Sequence, residues 1–199
     1  MKYEKDIFEL SKKQELLTWA LSEGLCLNLK DSKFPQVGIP ENYVCKIMVP
    51  RRSQRSIQDK LLRMLDPLAK KYARISGDYI GFHAGAYEAL LNAYQHGNQR
   101  DDSKKIVLAH QFRPKGVDVF VQDEGGNLDP LFGLFVVQKR LRSGRLAKDF
   151  YEFARNFKTR RPREGNQGVG THIIHAYFDD VYYYRGKNDG LIVHMRKKI

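Results

Sequence analysis

The alternation of apolar and polar positions divides the chain into two unequal parts. In "DIFELSKKQELLTWALSEG", Ile7, Leu10, Leu17 and Leu21 recur near a helical period, and Gly24 is placed to end the helix. "DSKFPQVGIPENY" then concentrates turn formers and reads as a linker. From Tyr43 the signal strengthens. "YVCKIMVP" predicts a strand that Pro50 stops. Ile57, Leu61, Met64, Leu65, Leu68 and Tyr72 make a helical stripe, which Pro67 is expected to kink or interrupt. "GDYIGFHAGAYEALLNAYQHGN" predicts a second helix, capped by Asp78 and stopped by Gly97. "KKIVLAHQFRPKGVDVFVQDEG" holds two alternating strands that turn near Pro114 to Gly116. A long, partly helical segment runs to Glu164. "GNQGVGTHIIHAYFDDV" passes from a glycine-rich loop into a helix near Thr171, and "VYYYRGKNDGLIVHMRKK" predicts a closing hairpin around Asn188, Asp189 and Gly190. Hairpin-neighbour strands and clustered helices predict an α+β sandwich with helices on one face of a sheet, not alternating parallel βαβ units. The expected division is a helical extension and linker over 1–42 and one domain over 43–199.

Composition adds bounds. The 199 residues suffice for one well-filled core. Cys26 and Cys45 lack metal-like spacing, and two cysteines in a chain of this size read as a reduced, cytoplasmic protein. No apolar run approaches the roughly 18 residues needed to span a membrane. The formal net charge is +12, unevenly spread: Leu131 to Glu164 holds ten Lys and Arg against three Asp and Glu. Such a local excess suits an anionic ligand or an acidic partner, and equally a solvated surface.

Three stretches could carry chemistry. In "EALLNAYQHGN", Glu88, Asn92 and His96 share one helical stripe. Gly81 and Gly85 lie inside the same helix, where a glycine costs about 1 kcal/mol relative to alanine, so another group is expected to approach closely. Magnesium with bound phosphates would explain the polar members: Asn92 can offer one oxygen to a hard cation, and Glu88 can orient or deprotonate a nucleophile. A wet polar face fits the stripe as well. His96, near the helix end, either faces phosphate or favours the helix dipole. In "VQDEGGNLDP", a strand ends at Asp123 and meets Gly125, Gly126 and Asn127, a turn that lets backbone approach a flat ligand while Asp123 accepts a hydrogen bond from an amino group. A plain turn is the alternative. In "EGNQGVGTHII", Gly165, Gly168 and Gly170 precede a helix whose free N–H groups suit phosphate. His83 and His172 read as structural, the run Tyr182 to Tyr184 as a strand with mixed faces, and Trp19 as a docking contact.

Together, the three stretches resemble the GHKL superfamily of ATP-binding domains, which includes DNA gyrase, heat-shock chaperones, MutL-type repair proteins and histidine kinases. "EALLNAYQHGN" is similar to its N-box, "DEGGNLDP" to its first glycine box and "GNQGVGTHII" to its second. The likeness runs from about Tyr43 to Ile199, and the segments before the N-box and after the second box resemble the anti-sigma-factor serine/threonine kinases most. The resemblance implies a Bergerat fold: a two-layer α/β sandwich with a mixed, mainly antiparallel sheet. It implies ATP and Mg2+ as cofactors, Glu88 as catalytic base and Asn92 as magnesium ligand. Asp123 and Gly125 would take the adenine, Gly168, Gly170 and Thr171 the phosphates, with His96 beside them. Residues 131–164 would form a long basic lid. Asn127 stands where a second glycine is usual, and Leu191 where many members place a threonine that reaches adenine through water.

The leading expectation is therefore a serine/threonine protein kinase of the partner-switching type, acting with a sigma factor or an antagonist-like regulator, and a homodimer by resemblance. The alternative is an ATP-gated protein-binding regulator with little or no kinase activity. Nucleic-acid binding ranks last, since the basic residues match no nucleic-acid motif.

Overall fold

The computed structural model describes residues 27–28, 36–51, 56–125, 127–128, 170–187 and 190–199. The expected N-terminal helix, Gly168, the lid over 131–164 and the tip of the closing hairpin lie outside the described residues.

Strands β1 (Leu27–Asn28), β2 (Val44–Met48), β3 (Ile106–Arg113), β4 (Gly116–Gln122), β5 (Asn127–Leu128), β6 (Asp180–Arg185) and β7 (Leu191–Lys198) accompany helices α1 (Ile57–Ser76), α2 (Tyr79–Asn92) and α3 (Gly170–Tyr177). Five strands form one sheet in the order β2-β3-β4-β7-β6. Every ladder in it is antiparallel. The parallel element among the described residues is an isolated bridge, Gln36 to Arg185. β1 and β5 make a separate two-stranded ladder, pairing Leu27 with Leu128 and Asn28 with Asn127.

Side-chain period two decides which strand residues meet the helices. Val117, Val119 and Val121 of β4 join Leu108 of β3 and Val193 and Met195 of β7 in the main core. Leu61, Leu65 and Leu68 of α1 and Phe82, Ala86 and Leu90 of α2 close it from the helical side. Each such buried Val, Leu, Met or Phe side chain contributes roughly 1.5–3 kcal/mol. Phe82 sits at the junction, stacked on Tyr72 at 4.4 Å between ring centroids and tilted against Phe178 at 5.5 Å.

α1 begins at Ser56, whose hydroxyl accepts from the Asp59 N–H, and ends at Gly77 in the left-handed region (φ 77°). Contrary to the expected interruption, α1 runs through Pro67 without a break. Pro67 lies exposed while Leu61, Leu65 and Leu68 are anchored in the core, so burial of the stripe outweighs the one lost hydrogen bond, and water can reach the freed carbonyl.

The other face of the sheet has a smaller cluster. The segment from Val37 to Tyr43 crosses it from β6 toward β2. Val37 N–H donates to the Arg185 carbonyl, Val37 and Ile39 pack on the cluster, and Tyr43 meets Phe120 edge-on at 5.1 Å. Beneath it the buried Asp118 accepts from Tyr43, Arg113 and Arg196 and lies 3.4 Å from His194 Nε2. Burial pushes the Asp118 carboxyl up, but hydrogen bonds from Arg113, Tyr43 and His194 hold it below the usual carboxylate range.

Candidate functional site

The site is built where α2 ends, where β4 ends and where α3 begins. Asp78 caps α2 as expected, accepting from the Gly81 N–H at 2.9 Å. The helix does not stop in a left-handed glycine. It widens into a π turn over Ala93–Gly97, closed by the Asn98 N–H on the Ala93 carbonyl at 2.8 Å. Gly97 is required for another reason: a Cβ there would overlap the Asp123 carboxylate. Past Asn98 the chain turns through Gln99 (φ 54°) and Arg100 (φ 62°). Left-handed conformation at such residues costs on the order of 1–3 kcal/mol each, so neighbouring bonds must hold the turn.

Glu88 and Asn92 lie on the face of α2 turned toward α3. A Cβ added to Gly170 would stand 2.6 Å from Glu88 Oε2 and 3.3 Å from Asn92 Oδ1. Gly170 thus brings the start of α3 directly against Glu88 and Asn92, where an added Cβ would push the Glu88 carboxylate aside. Thr171 follows in the first turn of α3, partly buried. Burial raises the Glu88 carboxyl above its ordinary value. His96 sits exposed on the π turn. Gly168 lies outside the described residues.

The expected close approach at Gly81 and Gly85 is real, but a protein group makes it. A Cβ on Gly81 would lie 2.8 Å from Tyr177 Cδ1, and one on Gly85 2.8 Å from Phe178 Cε2. The two glycines let the end of α3 seat on α2. They belong to packing, and not to the ligand.

Asp123 directly follows β4, with 3 % of its surface exposed. Its Oδ1 accepts from the Gly125 N–H and from the Leu191 N–H, both at 3.0 Å, and among the described residues Oδ2 receives no hydrogen bond. Burial, ahead of every other influence, pushes the carboxyl up to about 6. A Cβ on Gly125 would overlap the Gly97 carbonyl oxygen. Glycine at 97 and 125 therefore allows the π turn, Asp123 and the following turn to lie in contact. At Leu191 the backbone N–H holds Asp123, while the side chain packs on the main core.

Three residues at the site carry no individual signal in the sequence. Asn98, with 0 % exposure, donates from Nδ2 to the Lys105 carbonyl at 2.9 Å and accepts at Oδ1 from the Glu124 N–H at 2.8 Å. Glu124 accepts in turn from the Lys105 N–H at 2.7 Å. An asparagine after a helix-ending glycine invites a local capping role, not bonds to residues 7 and 26 positions on.

Other expectations fall on structural roles. His83 lies 3.3 Å from Asp66 and stacks on Tyr79 and Tyr87. Tyr183 is buried between the more exposed Tyr182 and Tyr184. Trp19 and the side chain of His172 lie outside the described residues. Among the described residues, no three His, Cys, Asp or Glu gather in a way that could hold a metal ion. A cation here would have to take one oxygen from Asn92 and the rest from phosphate and water, a donor set that fits magnesium. Also among the described residues, no helix is long and apolar enough to cross a membrane.

No curated protein matches the chain. A family model described as a histidine kinase-like ATPase domain matches residues 69–197, well over half of the chain. Its span takes in both glycine boxes, the N-box and the sheet from β3 to β7, with the helices on one face as found here. The chain belongs to the histidine kinase-like ATPase family.

Proposed function

We propose that this member of the family is an ATP-dependent serine/threonine protein kinase of the partner-switching type. The observation that carries the reading is the close approach of Gly170 to both Glu88 and Asn92, which sets a half-buried carboxylate beside the start of α3. Phosphates at that helix start would be held by the Gly170 and Thr171 N–H groups and the helix dipole. Asp123 would accept from the adenine amino group through Oδ2. Magnesium, taken up by Asn92, would supply charge neutralisation between the phosphates. Glu88 would then remove the proton from a serine hydroxyl as its oxygen bonds to the γ-phosphorus. The bond from that phosphorus to the bridging oxygen breaks, ADP leaves, and the proton stays on Glu88. Burial suits Glu88 to this task, because a raised proton affinity makes a stronger base. The acceptor would belong to an antagonist-like regulator, with a sigma factor as the other partner and a homodimer as the assembled form.

Transfer of labelled γ-phosphate to a candidate antagonist tests the reading. Glu88→Gln should reduce transfer about 10²–10⁴-fold, with ATP affinity nearly kept. Undiminished transfer would remove Glu88 as the base.

A second reading rests on β1. Leu27–Asn28 pairs with Asn127–Leu128, directly after the adenine-reading turn. ATP could therefore act on the N-terminal extension and gate a protein partner with little or no chemistry. Partner affinity that is equal with and without ATP would sink it, because a switching ligand must bind the two states differently.

A further inference from the structure

Asn98, Lys105 and Glu124 form a closed ring of three hydrogen bonds. Asn98 Nδ2 donates to the Lys105 carbonyl, Lys105 N–H donates to Glu124 Oε2, and Glu124 N–H donates to Asn98 Oδ1. The ring joins three segments: the end of the π turn, the entry to β3 seven residues on and the turn after β4. Glu124 stands between Asp123 and Gly125. Fixing its N–H fixes the path of the backbone on either side of it. Asn98 is wholly buried, and its backbone N–H also closes the π turn. No other side chain among the described residues bonds both the Lys105 carbonyl and the Glu124 N–H.

We propose that Asn98 is a positioning residue for adenine recognition, holding the Asp123–Gly125 turn at the distance from the π turn where Oδ2 of Asp123 meets the base. The proposal rests on the nucleotide-site reading above. Asn98 touches no ligand itself; it acts through Glu124 N–H on Asp123. Guanine places a carbonyl oxygen where adenine has its amino group, so a correctly aimed Asp123 carboxylate favours ATP over GTP. A turn free to shift loses that discrimination even where phosphate contacts persist.

The experiment is calorimetric titration of ATP and of GTP, each with magnesium, into the full chain and its variants. Asn98→Ala should lower the ATP-to-GTP affinity ratio about tenfold, the scale of losing a buried hydrogen bond that orients a site. Asn98→Asp keeps the acceptor toward Glu124 N–H and loses the donor to Lys105. It should retain most of the ratio while melting at lower temperature. A residue that only stabilises the fold would weaken both nucleotides alike and leave the ratio unchanged. A folded Asn98→Ala with the wild-type ratio overturns the proposal. Should Asn98→Ala fail to fold, Asn98→Ser, whose hydroxyl is too short to reach both the Glu124 N–H and the Lys105 carbonyl, is titrated in its place. A fall in the ratio supports the proposal; an unchanged ratio overturns it. Wild-type protein that binds neither nucleotide removes the functional reading and the proposal together, a result visible before any variant is made.

Discussion

Asp123 loses its water before any ligand arrives. Its carboxyl keeps a proton up to about pH 6 in the folded chain, against 3.8 ordinarily. Between those values the native state binds more protons than the unfolded state, so stability falls as pH rises through the window. Above pH 6 the full cost is present, on the order of 3 kcal/mol at about 1.4 kcal/mol per pH unit. Asp123→Asn keeps an oxygen for the Gly125 and Leu191 N–H groups and removes the buried charge. It should therefore unfold at higher denaturant at neutral pH, and with a flatter stability between pH 4 and 6, as urea titrations at several pH values would measure. A variant less stable than wild type at neutral pH would contradict this account of the buried carboxylate. Ligand binding runs the other way: an amino group needs the ionised carboxylate, so ATP affinity should rise through pH 6 in wild type and not in the variant. The place of Asp123 at a strand end before a tight turn was legible in the sequence, because an apolar strand running into Asp and glycines is a local signal. Asn98 was not, because its meaning lies in Lys105 and Glu124, which only the tertiary fold brings to it.

α2 shows the same division at the next scale. The spacing of Glu88 and Asn92 fixes their shared face, whatever the rest of the chain does. The purpose of Gly81 and Gly85 depends on where Tyr177 and Phe178 arrive, and no helix period carries that information. The π turn is likewise invisible to periodicity, since a single widened turn at the end of a helix disturbs no apolar stripe. Gly170 allows a test by sign. In a helix, replacing glycine with alanine should stabilise by up to about 1 kcal/mol. Here the new Cβ would stand 2.6 Å from Glu88 Oε2. Gly170→Ala should forfeit that gain, because the Glu88 carboxylate must swing aside, and should weaken ATP binding, as thermal unfolding and nucleotide titration would report. A stabilised Gly170→Ala would mean that α3 does not start against Glu88.

Over the whole molecule, the antiparallel sheet with helices on one face follows from alternation and turn chemistry, and these were readable from Tyr43 onward. The strap from Val37 to Tyr43 was not: it read as a linker because turn formers say nothing about the sheet face they cross. Its apolar residues, Val37, Ile39 and Tyr43, cover the face that the helices leave open. The three boxes acquire meaning only as a set, because the fold seats Gly97 on Asp123, Gly125 on Gly97 and Gly170 on Glu88 and Asn92. The central claim is that this junction binds an adenine nucleotide through the Asp123 carboxylate. Titration of ATP with magnesium into wild type and Asp123→Asn at neutral pH, followed by calorimetry, tests it most directly. The account predicts saturable binding by wild type and at least a tenfold loss in Asp123→Asn, about the worth of a buried hydrogen bond to a charged group. Equal affinity in the two proteins, or no binding by wild type, would contradict it.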